Sequence, residues 1–427
     1  MTTPDNEFDV VIAGGGMAGA SLALVLARRV PGIRVAVVEP APFRPDSVDE
    51  QPYQPSYDGR STALAYGSRL IFQDLDVWDI LREKVTPIRH IHVSEKGKPG
   101  RTGLHAHEHK QGSLGYVVEN QWLGRCLLQA LRDTEVFWCC PAQVAAAESA
   151  ENGTRLTVTV DGQEQRWQTD LLVIADGGRS GLREALNFRV DRHPYDQHAI
   201  IANVTTRDPH NGSAFERFTE DGPLALLPRG GREDTACDSA LVWTQKSREA
   251  KALAELPDDA FMARLQKVFG WRLGRFVTVG KRDCYPLSLE RVMEPARPGV
   301  VLVGNAAHTL HPVAGQGFNL ALRGLMRLVD QIAAARQRGD SPGSMRTLQA
   351  YMDEHRPDED AVVGFSDSMV RLFADGPSLL GRARELGLVG LDLMPPARKW
   401  FGRQAMGLGG RRDSLESGRK PTDSKVD

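Results

Sequence analysis

No stretch of about 20 consecutive apolar residues occurs in the 427 residues of this chain, so no spanning helix is predicted. The N-terminus also lacks a basic segment followed by a free-standing apolar run, so no secretory leader is predicted. Both absences predict a cytoplasmic protein. Neither sign of charge dominates: 53 Lys and Arg stand against 55 Asp and Glu, a formal net charge of −2. That balance gives no basic footprint for nucleic acid. Cysteine is scarce. Cys126, Cys139, Cys140, Cys237 and Cys284 include no C-x-x-C spacing, so neither a zinc site nor a disulfide framework is predicted. The adjacent Cys139 and Cys140 read as small core residues rather than as a redox pair. No GxxxxGK[ST] occurs, which excludes a P-loop ATPase.

What the chain does have is concentrated at its start. Phe8 to Ala13 is an apolar, β-branched run and reads as a buried parallel strand. Gly14, Gly16 and Gly19 follow at once, and Ala18 to Arg28 reads as a helix. Gly14 suits a tight turn, Gly16 a close approach to a pyrophosphate, and Gly19 close helix–strand packing. The helix N-terminus then offers unpaired N–H groups to two phosphates. A second apolar run, Ile33 to Val38, ends in Glu39, where a dinucleotide fold places the acid that binds an adenosine ribose.

Further along, Pro40 to Tyr57 is a polar, proline-rich loop, long enough to suggest a ligand-facing role. Asp58 to Leu64 leads into a helical pattern through Leu81. His105, His107 and His109 alternate, and a strand would place them on one face; without a carboxylate cluster they read as a polar surface, not a metal site. Glu119 to Leu131 reads as a helix, Val144 to Trp167 as a hairpin, and Asp170 to Ala175 as a buried strand running into Asp176-Gly177. Strand-like runs at 198–204, 224–227 and 239–243, with a helix at Asp258 to Phe269, mark a second sheet domain. Val300 to Val303 returns to the buried-strand pattern, and Gly317 to Arg338 reads as a helix.

Three separated motifs coincide: GGGMAG, ADGGRSGLR from Ala175 to Arg183, and GNAAHTLHPVAGQGFNLALR from Gly304 to Arg323. In this order they resemble the flavin-dependent aromatic hydroxylases with the p-hydroxybenzoate hydroxylase type of fold. DGRSTAL, GNAA and HPVAGQGFNLALR resemble most the ubiquinone-biosynthesis branch of the 2-octaprenyl-6-methoxyphenol hydroxylase kind. The resemblance implies an α/β chain with a discontinuous FAD-binding Rossmann-type domain (1–84, 119–186 and 286–350). It adds a β-sheet substrate domain (85–118 and 187–285) and a helical C-terminal region (351–427) with a polar, disordered end.

By position, the resemblance implies that Glu39 binds the adenosine ribose and that Arg60 approaches the flavin from the substrate side. Asp176 and Gly177 serve the pyrophosphate and nicotinamide contacts, and Arg183 supports that site. Gly304 and Asn305 serve the ribityl side, and Pro312, Gly315, Gly317 and Asn319 pass beside the isoalloxazine ring. Two departures stand out. Asn305 occupies a position where most relatives carry aspartate, which keeps an acceptor but loses a charge. Arg323 is followed by Gly324 where the family usually has an acid.

The implied chemistry is NAD(P)H-dependent monooxygenation, with a hydroperoxide at flavin C4a transferring oxygen to an electron-rich ring carbon. No second GxGxxG domain serves NAD(P)H, which implies a transient surface site. His308 and His311 are candidates for proton transfer or for fixing the backbone near the flavin. The implied substrate is a polyprenylated phenol, which brings membrane-surface or ubiquinone-biosynthesis protein partners with it. A non-catalytic scaffold, a prenyl reductase and a small-phenol hydroxylase stay open as alternatives. The apolar cluster of Leu386, Leu388, Val389, Leu391, Leu393 and Met394 reads as core, as a homo-oligomer contact, or as a lipid or partner contact.

Overall fold

Strand Glu7–Ala13 is apolar on both faces because it is paired and covered on both sides. It runs parallel to Val35–Val38 on one side and to Gln163–Ile174 on the other. Phe137–Cys139 and Val300–Leu302 extend the parallel set outward. The computed structural model describes residues 6–42, 45, 60–98, 101–151, 153–230, 236–312, 315–374, 402–403 and 406–408. The Pro40–Tyr57 loop beyond Pro42 (Pro45 apart), Asp58, Gly59 and the 386–394 apolar cluster therefore lie outside the described residues.

Alternation divides the core in two. Val10 and Ile12 pack with helices Met17–Arg29 and Gln316–Arg338 through Leu22, Leu26, Leu322 and Val329. Val11 and Ala13 pack on the other face against Val144, Leu156, Val158 and Trp167. The expected hairpin is a three-stranded meander, Ala142–Ala150, Gly153–Val160 and Gln163–Ile174. Its last strand continues into the central parallel sheet, so the two strands read separately around 167–170 are one.

The second sheet is ordered His308–Thr309, Asp283–Val292, Val190–Thr206, Asp238–Lys246, Gly222–Pro228, Ser213–Thr219, His90–Glu95, Arg101–His105. Strand Asp283–Val292 crosses the sequence boundary at residue 285, so that boundary does not fall between elements. Helix Asp258–Phe269 has the predicted bounds, and its Phe261, Leu265 and Phe269 cover one sheet face with Ile200, Leu224, Leu241 and Trp243. Each such fully buried side chain contributes about 1.5–3 kcal/mol. A three-stranded sheet, Ser61–Ala65, Gly115–Glu119 and Val85–Ile88, joins the two larger ones. Helix Met345–Ala374 packs along Gln316–Arg338.

His105, His107 and His109 do not share a strand face, because the strand ends at His105 and Ala106–His109 forms a 3-10 turn. Among the described residues, no group of three or more His, Cys, Asp or Glu side chains could hold a metal ion. No described helix is long and apolar enough to cross a membrane.

Candidate functional site

The carboxyl ends of four parallel strands converge. Ala13, Val38, Ala175 and Gly304 all border a single cavity of about 920 Å³. Open α/β sheets bind ligands at this edge. The cavity continues past the edge to the helix-free face of the second sheet, so one chamber spans both domains.

At the nucleotide end, Gly14 takes φ of +105° and Gly19 packs against its carbonyl. Helix Met17–Arg29 begins at Gly16 with no side-chain cap and no acid in its first turn. Its first N–H groups and its positive dipole end are left for an anion. Glu39 is buried at the cavity edge. One carboxylate oxygen accepts the Gly15 N–H at 2.6 Å and the other the Ala41 N–H at 2.8 Å. The acid thus also clamps the glycine loop, and Gly15 is a member of the site that the motif spacing had passed over.

Asp176 and Gly177 line the cavity, but the Asp176 carboxylate is engaged in its own turn. It accepts the Gly178 N–H at 2.8 Å, the Ser180 N–H at 3.1 Å and the Ser180 hydroxyl. Arg183 is buried behind this loop and does not border the cavity. Its guanidinium donates to the Ala306 carbonyl at 3.4 Å and pairs with Glu184 and Glu290. It holds the DGG turn against the GNAA turn, so its role is positioning and not direct contact.

Asn305, Pro312, Gly315 and Gly317 line the cavity opposite the glycine loop. Helix Gln316–Arg338 starts there with no side-chain cap and no acidic residue in its first turn. A Cβ placed on Gly317 would meet no protein atom within 4 Å, so the missing side chain leaves space that belongs to the cavity. Asn319 also borders the cavity, but its amide is fully committed to protein. Its oxygen accepts the Ala65 N–H at 2.8 Å and the Ser68 hydroxyl at 2.7 Å. Its nitrogen donates to the Ala63 carbonyl at 2.8 Å and the Gly315 carbonyl at 2.9 Å. The side chain thus staples strand Ser61–Ala65 to the helix start at the cavity border.

Arg60 lies at the junction of the two halves, with its guanidinium 5.2 Å from the centre of the Tyr285 ring. Arg60→Ala is expected to keep bound FAD and a near-normal Tm while product formation falls at least about tenfold, because an oriented charge acts on the reaction more than on the fold. Turnover and FAD content measured on the same preparation check this. His311 also borders the cavity. It is buried, stands edge-on to Tyr195 at 5.3 Å, and has no hydrogen-bond partner on either ring nitrogen among the described residues. Burial pushes its pKa down to about 4, so the ring is neutral near pH 7.

His308 does not join it. The 3-10 turn Gly304–Ala306 directs His308 into a separate small cavity with Arg291, Tyr351, His355 and Glu359. Burial, with the Arg291 charge second, pushes its pKa down to about 4. The proposed proton-transfer role of His308 at the flavin is therefore corrected. The same cluster surrounds Gly324, where a Cβ would stand 2.8 Å from the His355 ring. Beside it Asp358 pairs with Arg323 and Arg327 at 2.8 Å.

These residues fit an FAD. Two uncapped helix N-termini, a glycine loop, an acid at the second strand's end and the open space beside Gly317 all face one chamber. Fold and site together define a flavin monooxygenase of the p-hydroxybenzoate hydroxylase type. The chain belongs to the FAD binding domain family, matched over residues 7–366, and within it to the ubiquinone-biosynthesis flavin hydroxylases. It is 36% identical over 406 residues to the ubiquinone hydroxylase UbiL of Rhodospirillum rubrum, covering 94% of this chain and 90% of that one. It is 30% identical over 402 residues to the 3-demethoxyubiquinol 3-hydroxylase of Escherichia coli, covering 94% and 98%. The solved p-nitrophenol 4-monooxygenase PnpA of Pseudomonas putida shares the fold, with a TM-score of 0.71, 15% identity, and coverage of 95% and 98%.

Proposed function

We propose that this FAD-dependent monooxygenase hydroxylates the ring of a polyprenylated phenol of the 2-polyprenyl-6-methoxyphenol type in ubiquinone biosynthesis. NAD(P)H is the transient reductant and molecular oxygen the co-substrate. The observation that carries this reading is the continuity of the cavity from the glycine loop onto an apolar sheet face. Ile91, Val93, Leu104, Phe218, Ala225 and Leu227 line that far half. Such a wall suits a prenylated ring, since each buried methylene contributes about 0.8 kcal/mol.

Bound FAD supplies the oxygen-activating chemistry. The protein's part is to bind, orient and exclude water. The glycine loop and the first N–H groups of helix Met17–Arg29 hold the pyrophosphate, and Glu39 faces the ribose. Gly315 and Gly317 let the backbone approach the flavin ring. Arg60 supplies positive charge where the two halves meet, and neutral His311 supplies a polar edge without a competing charge. The tail enters from a lipid surface, which makes the protein a peripheral membrane partner.

The test is product analysis with isotopically labelled oxygen and prenylphenols of graded tail length. One labelled oxygen in the product, with kcat/KM falling as the tail shortens, is expected. Gain of hydrogen alone would identify a prenyl reductase, and no turnover with any donor a scaffold. Equal coupled efficiency without a tail would identify a small-phenol hydroxylase.

A further inference from the structure

The cavity face of the second sheet is mostly apolar; of its polar members Asn203, Glu216 and Thr309, Glu216 alone carries an ionisable side chain. On strand Ser213–Thr219, alternation turns Ala214, Glu216 and Phe218 toward the chamber, and all three border it. Register places Glu216 between Val93 and Ala225, with Val242 and Ile201 completing that cross-strand row. Glu216 is the ionisable member of the row. Its carboxyl makes no hydrogen bond or ion pair with the described residues. It lies deep in the molecule and keeps partial exposure only because it faces the chamber. An unpartnered carboxyl in an apolar wall is costly and is retained where a ligand completes it.

Its depth fits the reacting ring. Ala214, one step earlier on the strand, belongs to the cluster that packs against Ala63, and Ala63 touches Gly315 at the flavin turn. Two residues along a strand span about 6.6 Å. Glu216 therefore lies about 6.6 Å further along the chamber wall than Ala214, which packs in the cluster next to the Ala63–Gly315 turn.

Resting on the reading of this chamber as a phenol site, we propose that Glu216 anchors the substrate through the hydrogen of its ring hydroxyl. The carboxylate accepts that hydrogen. As the O–H bond weakens, its electron pair stays on the phenolic oxygen and raises electron density at the ortho and para carbons. The shared proton returns to that oxygen when the product leaves, so no further reactant is needed.

Burial holds the Glu216 carboxyl up at about 7. The other ionisable groups bordering the chamber are Glu39, Asp176 and Arg179 at the nucleotide end and Arg60 and His311 at the junction. Strand Gly222–Pro228 carries none. On strand His90–Glu95, His90 and His92 alternate to the opposite face, and Glu95 pairs with Lys98. Arg217 likewise alternates away. His311, held near 4, is already neutral where Glu216 titrates.

The experiment uses the FAD-loaded enzyme, a prenylated phenol and the corresponding methyl ether. In the wild type, kcat/KM for hydroxylation is expected to rise about tenfold per pH unit up to about 7 and then level. Glu216→Gln should remove that limb and lower kcat/KM roughly 100-fold, with FAD content and Tm unchanged. Binding, followed by the flavin absorbance change without reductant, should favour the phenol over the ether about tenfold in the wild type and not in Glu216→Gln. Hydroxylation with an unchanged limb and ratio in the variant would overturn the anchor and leave the functional reading standing. Absence of the limb and of the phenol preference in the wild type would overturn the anchor even if the variant failed to fold. Absence of any hydroxylated prenylphenol, with phenol preference still present, would overturn the functional reading alone.

Discussion

Gly19→Ala is expected to leave a chain that retains less than about a tenth of the wild-type FAD after purification. In most helices this substitution adds up to about 1 kcal/mol of stability. Here the new Cβ would lie 1.9 Å from the Gly14 carbonyl oxygen, a backbone atom that no rotamer change can move. Helix Met17–Arg29 must shift away from the loop, and the N–H groups aimed at the pyrophosphate shift with it. Gly317→Ala provides the contrast. Its Cβ meets nothing in the protein, so Tm should hold. If the flavin passes there as proposed, crowding would cost about 1–3 kcal/mol, or roughly 10–100-fold in the Kd for FAD. Titration of the apoproteins with FAD, alongside thermal unfolding, separates the two cases. Full FAD retention with an unshifted Tm in Gly19→Ala would contradict the packing argument.

The second large effect is expected at Asn319. Asn319→Ala removes four side-chain hydrogen bonds and leaves the Ala65 N–H, the Ser68 hydroxyl and the Ala63 carbonyl without this partner, while the Gly315 carbonyl, at the helix N-cap, keeps its intrahelical bond. Each buried group left unpaired costs about 1–3 kcal/mol, and because neighbouring losses overlap, a total of about 3–5 kcal/mol is expected. Asn319→Asp should fare little better. It keeps acceptors for Ala65 and Ser68 but sets a carboxylate oxygen against two carbonyls. Urea unfolding and FAD retention measure both variants. The expected signature is a lower unfolding midpoint together with weaker FAD, because the staple fixes the strand and the helix start that border the cavity. A midpoint within error of the wild type would show that water replaces the lost bonds.

Most of the nucleotide half was legible in the sequence because its constraints are local. A glycine at 14, 16 or 19 answers to atoms a few residues away, or to a ligand whose size is fixed. Glu39 follows from the length of one apolar run. Helix Asp258–Phe269 follows from periodicity and an acidic start. Side-chain direction after an irregular turn has no such periodic signal. Three residues separate His308 from His311, yet the turn at Gly304–Ala306 sends one to the back of the sheet and the other to the chamber. Asn319 read as a cofactor contact because its partners, at residues 63, 65 and 68, are some 250 positions away.

The sequence by itself determined the nucleotide-binding start of the fold, since glycine spacing and short apolar runs impose it through steric exclusion and burial, and its three ordered motifs carried the family. Tertiary structure alone decided what faces the chamber. Glu216 meets Val93 and Ala225 only once strands from three parts of the chain are in register. A one-residue slip would turn its carboxyl to the other face.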